Sequence, residues 1–358
     1  MKIALTGYSN SGRTTIFKAL CDTYSESSTG KSKTKINIGI TKIRDERLDF
    51  VHKIYGSQKK TPAEIVFQDF QYEKAGTEER KGFDEETIAQ LKLADALIYV
   101  CRGFANPSVY YRYDRVYPLR DAEMLESDML VADLVSTENR IQRVEQDLRK
   151  GKRELQKEYD LMLKIKSILG EEKPLRLAGL NPEEEKFIRG FGYLTLKKGM
   201  IIVNVDDEGN FPGSPETMQR WSEERGMGFM VLRGKLQADL KELDESERKE
   251  YLHELGVEEV AIDTFIREIY KLLGLIQFFT ANPNEARAWD ITKGTTAYDA
   301  AGVVHTDFQE KFIRAEVISI NDLMKYGSEK ACKESGVFRQ EKREYVVQDG
   351  DVIFIRHG

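Results

Sequence analysis

The 358 residues suffice for two or three domains, each with its own core. Hydrophobic residues make up 40% of the chain, charged residues 32%, and the net charge is −6. This balance is typical of an acidic globular protein and excludes a uniformly basic nucleic-acid-binding chain. Any contact with RNA must therefore come from a local basic patch.

The sequence favours neither a membrane protein nor a metal site built from cysteine and histidine. No apolar run approaches the roughly 18 residues of a membrane helix, and the N-terminal sequence turns polar too early for a signal peptide. We therefore expect a cytoplasmic protein with no membrane contact. The three cysteines and four histidines lack metal-ligand spacing, so reduced, buried thiols are expected.

The first hundred residues alternate strand and helix patterns. Strands are predicted at residues 2–6, 64–70 and 96–101, and helices at 14–21, 45–54 and 85–93. A second set follows, with strands at 200–205 and 229–232 and helices at 216–225 and 261–273. This alternation predicts an α/β fold built from βαβ units around a mostly parallel sheet.

Residues 121–170 have a different composition, rich in Glu, Lys, Arg and Leu. Apolar residues recur there at spacings of three and four: Ile141, Val144, Leu148, Leu155, Tyr159, Met162 and Leu169. The pattern indicates a coiled-coil-like stripe. Because glycine costs about 1 kcal/mol inside a helix, Gly151 is the expected reversal point. We predict an antiparallel helical hairpin inserted into the α/β domain.

The residues from 277 onward have a mixed pattern. Apolar alternation at 312–320, a helix at 298–304 and a turn signal at 348–350 predict a small α+β domain.

Residues 7–14, Gly-Tyr-Ser-Asn-Ser-Gly-Arg-Thr, follow a predicted strand and precede a helix. They match the phosphate-binding loop G-x-x-x-x-G-K-[ST] except that Arg13 replaces lysine. In such a loop backbone N–H groups converge on phosphate oxygens, and Thr14 would offer its hydroxyl to Mg²⁺. Arginine keeps the charge but is a wider, planar fork. From the motif alone, an ordinary glycine-flanked turn between a strand and a helix is an equally good interpretation.

Longer segments point to one family. Residues 7–20 look like GLPNVGKSTLFNAL, and residues 37–39 with 45–49 match NVG…PDxRLD. Near the C-terminus, almost every letter of the family's TGS domain is matched at residues 278–280, 287–289, 293–296, 300–308, 312–317 and 345–351. Over nearly its whole length the chain resembles the YchF/Obg-like ATPase family.

The resemblance implies a three-part architecture. A doubly wound P-loop NTPase domain would comprise residues 1–120 and 196–276, a helical coiled-coil domain 121–195, and a β-grasp-like α+β TGS domain 277–358. Family members bind and slowly hydrolyse purine nucleotides and associate with ribosomes. The implied cofactors are Mg²⁺ with GTP or ATP, and the implied partner is the ribosome or RNA, reached through the helical arm and the TGS domain. A monomer is our working expectation.

The resemblance also assigns residues. Phosphate contacts fall on Asn10, Ser11, Gly12, Arg13, Thr14 and Thr15. Thr14 and Asp69 would hold Mg²⁺, since Asp69 follows a strand where the family has VDIAGL. The family's glycine three residues later is Tyr72 here, which conflicts with close backbone approach to a γ-phosphate. Lys33 stands at the switch threonine position and Thr34 is one residue off, so residues 25–35 form either a switch or a solvated loop.

Residues 204–207, Asn-Val-Asp-Asp, resemble the family's base-recognition motif. Asn204 would hold the phosphate loop and Asp207 would face the base, while Val205 stands where guanine-specific proteins have lysine. The family commonly has glutamate at the position of Asp207, so the preferred base stays open. Lys235 matches a further base contact weakly. An Asx turn after the strand is the alternative interpretation.

The changes at Arg13, Thr34 and Tyr72 predict that nucleotide binding is retained in weakened form and that hydrolysis is poor. No catalytic residue is assigned. Two functions stay open: an NTPase that cycles on the ribosome, or a non-hydrolysing scaffold that binds RNA or protein. The arm bears Arg140, Arg143, Arg149, Lys150, Lys152 and Arg153, interleaved with acidic residues. A solvated coiled-coil face is the alternative to an RNA contact.

Overall fold

The computed structural model describes residues 1–28, 35–71, 83–111, 113–254 and 261–358. Its strands are β1 (Lys2–Thr6), β2 (Thr23–Ser28), β3 (Lys35–Lys42), β4 (Lys59–Thr61), β5 (Glu64–Gln71), β6 (Ala96–Gly103), β7 (Lys198–Val205), β8 (Gly228–Leu232), β9 (Leu275–Ala281), β10 (Glu285–Thr292), β11 (Phe312–Ser319), β12 (Arg339–Glu341) and β13 (Asp351–His357). Its helices are α1 (Arg13–Leu20), α2 (Glu46–Tyr55), α3 (Glu85–Lys92), α4 (Pro118–Arg149), α5 (Gln156–Gly170), α6 (Pro182–Ile188), α7 (Pro215–Glu224), α8 (Gly234–Glu242), α9 (Glu245–Glu254), α10 (Ala261–Leu273), α11 (Ala297–Val304), α12 (Thr306–Glu310), α13 (Ile320–Tyr326) and α14 (Glu329–Glu334).

The first compact unit comprises Met1–Thr41 and Val66–Phe265. Its sheet has the order β2-β3-β5-β1-β6-β7-β8. Parallel pairing joins β5, β1, β6, β7 and β8, whereas β2 and β3 pair antiparallel. Because parallel strands are covered on both faces, β6 is buried along its whole length. The predicted mostly parallel α/β sheet is confirmed.

The helical arm of this unit consists of α4 and α5, with Gly151 between them at φ 94°. Val144, Met162 and Leu169, all from the predicted apolar stripe, are buried. Asp133, on α4, accepts hydrogen bonds from the backbone N–H groups of Leu194 and Thr195, both at 2.8 Å. The predicted antiparallel hairpin is therefore present, and a buried carboxylate fixes its base.

The second compact unit comprises Lys42–Ile65 and Ile266–Gly358. Its sheet has the order β12-β11-β13-β9-β10-β4. Here β9 and β10 pair antiparallel, as do β11 and β13, while β13 and β9 run parallel. An apolar cluster including Phe278, Ala301 and Val317 forms the core of this C-terminal α+β unit.

Helix α2 corrects one expectation. The sequence placed residues 45–54 among the βαβ units of the first domain, but α2 belongs to the second unit. The side chain of Arg47 explains this, because it donates to Asp349 at 2.7 Å and lies over the ring of Phe279.

The expected three-domain boundaries stay a prediction, since compactness divides the chain into two units. Within the described residues, no helix combines the length and apolarity needed to span a bilayer.

Candidate functional site

The loop between β1 and α1 turns through two left-handed residues, Asn10 at φ 65° and Gly12 at φ 84°. Asparagine tolerates this conformation better than most residues, and glycine adopts it without steric cost. A Cβ at Gly12 would also lie 1.9 Å from Nδ2 of Asn204. The Asn10 side chain donates to the carbonyl of Tyr110 at 3.0 Å. Gly12 is therefore required both by backbone conformation and by close packing.

Helix α1 presents an uncapped N-terminus to this loop. Among the described residues no side chain caps it, whereas α2, α3 and α7 are capped by Asp45, Asp84 and Ser214. Its first intrahelical hydrogen bond runs from Ile16 N to Gly12 O at 3.0 Å, so the N–H groups of Thr14 and Thr15 are not used within the helix. An anionic oxygen fits such an end.

Ser11 adds a second polar group to the loop. Its side chain is buried, and its Oγ has no hydrogen-bond partner within the part of the chain that the structure describes. A buried hydroxyl without a partner costs free energy, which a ligand oxygen or a water would recover. Ser11 and the α1 N-terminus together fit a phosphate group.

Asn204, at the end of β7, holds this loop from the side. Its Nδ2 donates to the carbonyl of Ser11 at 3.2 Å, and its Oδ1 accepts from the backbone N–H of Gly234 at 3.0 Å. The side chain is buried. Asn204 thus links the phosphate loop to the start of α8, which is the position that the sequence motif predicted for it.

The other residues of the base motif divide between two roles. Asp206 accepts from the backbone N–H of Asn210 at 2.8 Å, so it makes an Asx-type turn. Partial burial acts to raise the pKa of Asp206, but the hydrogen bonds from Asn210 and Gly209 outweigh it and lower that pKa. Asp207 remains exposed and forms an ion pair with Lys235 at 3.0 Å. Asp206 therefore forms the Asx turn, and Asp207 still presents an exposed carboxylate.

Val205 is an exception among the assigned residues. Its side chain is buried in the apolar core cluster of the first unit. A side chain packed there does not line a ligand site, so the assignment of Val205 as a nucleotide contact is not supported for the side chain. Burial follows from its place in β7, whose residues are buried from Gly199 onward.

Arg13 lies away from the open side of the loop. Its Nε donates to Oδ1 of Asp69 at 2.5 Å, Nη1 donates to the carbonyl of Gly7 at 2.8 Å, and Nη2 donates to the carbonyl of Phe70. Only 9% of the Arg13 side chain and none of Asp69 is exposed. The sequence predicted a cation beside the β- and γ-phosphates, but the guanidinium is instead bonded to the strand ends beneath the loop.

Both oxygens of Asp69 are engaged within the protein. While Oδ1 accepts from Arg13, Oδ2 accepts from the Thr14 hydroxyl at 2.8 Å and from Asn37 Nδ2 at 3.2 Å. Mg²⁺ needs near-octahedral oxygen ligands at about 2.0–2.1 Å, and a guanidinium on the same carboxylate repels a dication. The arrangement therefore does not fit Mg²⁺ held by Asp69. The expected Mg²⁺ stays a sequence-based prediction with which this geometry disagrees.

The cations of the arm are mostly paired. Arg140 contacts Glu158 at 2.5 Å, Arg149 contacts Glu145 at 2.7 Å, and Lys152 contacts Asp147 at 3.1 Å. Hydrogen bonding to Lys152 lowers the pKa of Asp147. Glu158 is buried, whereas the pairs of Arg149 and Lys152 are solvent-accessible. These accessible pairs leave the net charge of the tip small, but they are weak, and a phosphate group can compete for their cations.

Several residues next to the phosphate loop were not predicted from the sequence. The hydroxyl of Tyr8 donates to Asp128 on α4 at 2.9 Å, and Asn37 contacts Asp69. Arg102, fully buried at the end of β6, donates to the carbonyl of Phe104 at 3.0 Å and lies over its ring. Among these residues, only Arg102 carried a signal in the sequence, as an arginine near the end of an apolar strand. Three positions that the sequence singled out, Lys33, Thr34 and Tyr72, lie outside the described residues.

Comparisons with known proteins cover nearly the whole chain. The family model YchF-GTPase_C, described as "Protein of unknown function (DUF933)", matches residues 275–358. "Ribosome-binding ATPase YchF" of Haemophilus influenzae is 34% identical over 99% of this chain and 98% of its own. The Bacillus subtilis protein of the same name is 31% identical over 98% of both chains. "Obg-like ATPase 1" of Caenorhabditis elegans is 30% identical over 99% of this chain and 92% of its own.

A solved structure agrees with the fold. The Schizosaccharomyces pombe YchF GTPase superposes with a TM-score of 0.81, at 24% identity, over 99% of this chain and 97% of the other. At that identity the match shows the fold alone, a P-loop GTPase-like domain with a C-terminal domain. With relatives above 30% identity along the full length, the chain belongs to the YchF family.

Proposed function

We propose that this protein binds a purine nucleotide through the loop at residues 7–14, associates with the ribosome, and hydrolyses the nucleotide poorly. The observation that carries the proposal is the uncapped N-terminus of α1, positioned by Asn204. Helix N-termini of this kind bind phosphate through backbone N–H groups and the helix dipole. The names of the relatives, ribosome-binding ATPases, support the same nucleotide class and partner.

Poor hydrolysis is proposed from Arg13 and Tyr72. Arg13 directs its charge toward Asp69 and the carbonyl of Gly7, and Tyr72 replaces the glycine whose N–H would meet a γ-phosphate. Phosphoryl transfer depends on positioned cations and donors around the transferred group. Binding of diphosphates depends less on these groups. A scaffold that binds nucleotide without useful turnover is therefore the second candidate, and the Arg13–Asp69 contact favours it.

Ribosome association is proposed through the arm and the C-terminal α+β unit, which corresponds to the family's TGS domain by resemblance. The arm offers Arg143 and Arg153 as exposed cations near its tip. Arg149, Lys150 and Lys152 sit in solvent-accessible ion pairs, which exchange readily for phosphate contacts. In an otherwise acidic chain, this is where RNA contact is expected.

Isothermal titration of ATP, GTP, ADP and GDP tests nucleotide binding directly. We expect heat for a purine nucleotide with the natural chain and a loss of at least about tenfold in affinity for Gly12→Ala, because the added Cβ would meet Asn204 at 1.9 Å. Gly151→Ala is the matched control, since Gly151 is also left-handed at φ 94° but has open space around its Cβ. Absence of heat with all four nucleotides refutes the proposal.

A further inference from the structure

The geometry points to Arg13 as the cation that neutralises Asp69 in place of a divalent metal: we propose that this protein therefore binds nucleoside diphosphates without Mg²⁺. The inference deepens the proposed function and depends on it. The inference concerns the cation bound to Asp69, whereas the proposed function concerns nucleotide binding by the loop at residues 7–14.

The contacts of Arg13 establish where its charge lies. The guanidinium donates from Nε to Asp69 Oδ1 at 2.5 Å and from Nη1 to Gly7 O at 2.8 Å, and it donates from Nη2 to Phe70 O. With a fully buried Asp69, this is a charge-assisted, water-shielded contact. Bound in this way, Asp69 has its charge neutralised by the protein.

Thr14 belongs to the same closed network. Its hydroxyl, which would be the inner ligand of a metal, donates to Asp69 Oδ2 at 2.8 Å. Asn37 Nδ2 donates to the same oxygen at 3.2 Å. A metal entering here would have to displace a cation from a buried carboxylate, which carries a large electrostatic cost. The network is complete without a metal.

Lysine could not make the same set of contacts. Arginine presents a planar fork of donors, whereas lysine presents one compact ammonium. Only a fork reaches Asp69, Gly7 O and Phe70 O from one side chain. A lysine at position 13 would release at least one of these acceptors and leave Asp69 available to a cation from solution.

Titration of ADP in EDTA and in excess Mg²⁺ tests the inference. The affinity of the natural chain should change less than about twofold between the two conditions, whereas coupled ligands alter each other's affinity about 5- to 150-fold. Arg13→Lys should acquire such a dependence and show a protein-bound Mn²⁺ signal with ADP by electron paramagnetic resonance. Arg176→Lys is the matched control, because Arg176 is a similarly buried arginine in an ion pair, with Glu126, in the same unit.

The outcomes separate the two proposals. Tight ADP binding in EDTA, unchanged by Mg²⁺, supports the inference. Binding by the natural chain that weakens by more than about twofold in EDTA overturns the inference and leaves the nucleotide site intact. No ADP binding in either condition overturns both. The natural chain decides these points by itself, even if Arg13→Lys fails to fold.

Discussion

The hydroxyl of Tyr8 in the phosphate loop donates to Asp128 of α4 at 2.9 Å, which connects the loop to the base of the helical arm. Tyr8 also packs against the apolar core cluster that includes Ala122 and Leu125 of α4. A ligand that fixes the loop is therefore expected to reduce the motion of the first turns of α4.

The change Tyr8→Phe keeps the ring and removes the hydrogen bond. We expect it to lower the free energy of unfolding by about 1 kcal/mol and to reduce the hydrogen-exchange protection that a nucleotide gives to the first turns of α4. Tyr270→Phe, which removes a tyrosine–aspartate hydrogen bond to Asp290 in the second unit, serves as the control. Equal nucleotide-dependent protection in Tyr8→Phe and the natural chain would contradict the connection.

Asp133 predicts an unusual pH dependence. Burial raises its pKa from an ordinary 3.8 to about 6, opposed by the hydrogen bonds from Thr195 and Leu194 and by the charge of Lys92. The folded protein therefore binds this proton more tightly than the unfolded chain. The contribution of Asp133 to the free energy of unfolding should rise by about 1 kcal/mol as pH falls from 7 to 5.

Urea unfolding of the natural chain and Asp133→Asn across this pH range checks the sign. Asparagine does not titrate, and its amide cannot accept from every donor that faces Asp133, so the variant should be less stable throughout. The stability difference between the two proteins should widen as pH falls. A difference that narrows toward pH 5 would show that the carboxylate is ionised in the folded state.

Part of this structure was predictable because the signals are local. The loop at residues 7–14 and the reversal at Gly151 depend on short-range patterns, and both are present. The position of Arg13 was not predictable, because Arg13 begins α1 whereas its partner Asp69 is 56 residues away on β5. Charge and spacing identify Arg13 as a cation near a phosphate loop but do not indicate the direction of its side chain.

The position of α2 shows the same limit. The helix itself follows from its periodicity and from Asp45, which caps it. Its assignment to the C-terminal unit depends on Arg47 and Asp349, which are 302 residues apart. The role of Val205 was assigned from motif register alone, whereas its side chain lies in the apolar core cluster of the first unit.

Asp207 should discriminate between purine bases. Guanine offers its N1 and N2 donors to a carboxylate, whereas adenine lacks this pair, so Asp207→Ala should weaken GTP binding more than ATP binding. Glu208→Ala, an exposed neighbour, should affect both nucleotides little. Competition titrations measure the ratio. Equal losses for GTP and ATP in Asp207→Ala would reject Asp207 as the base contact.

Ribosome association should depend on salt. Binding driven by phosphate neutralisation falls steeply between about 50 and 200 mM salt. The double change Arg143→Gln with Arg153→Gln should reduce the slope of log affinity against log salt by roughly two. Arg220→Gln, an exposed arginine on α7, is the control. Co-sedimentation with an unchanged slope would place the contact elsewhere.

Turnover of ATP and GTP in excess Mg²⁺ decides whether the altered site binds nucleotide but hydrolyses it poorly. The natural chain is compared with the double variant Arg13→Lys, Tyr72→Gly. A missing preorganised donor costs about 3–4 kcal/mol, or roughly a hundred- to a thousandfold in rate. We expect the double variant to turn over faster by that order, with a smaller change in ADP affinity. Turnover by the natural chain as fast as that of the double variant would contradict the claim.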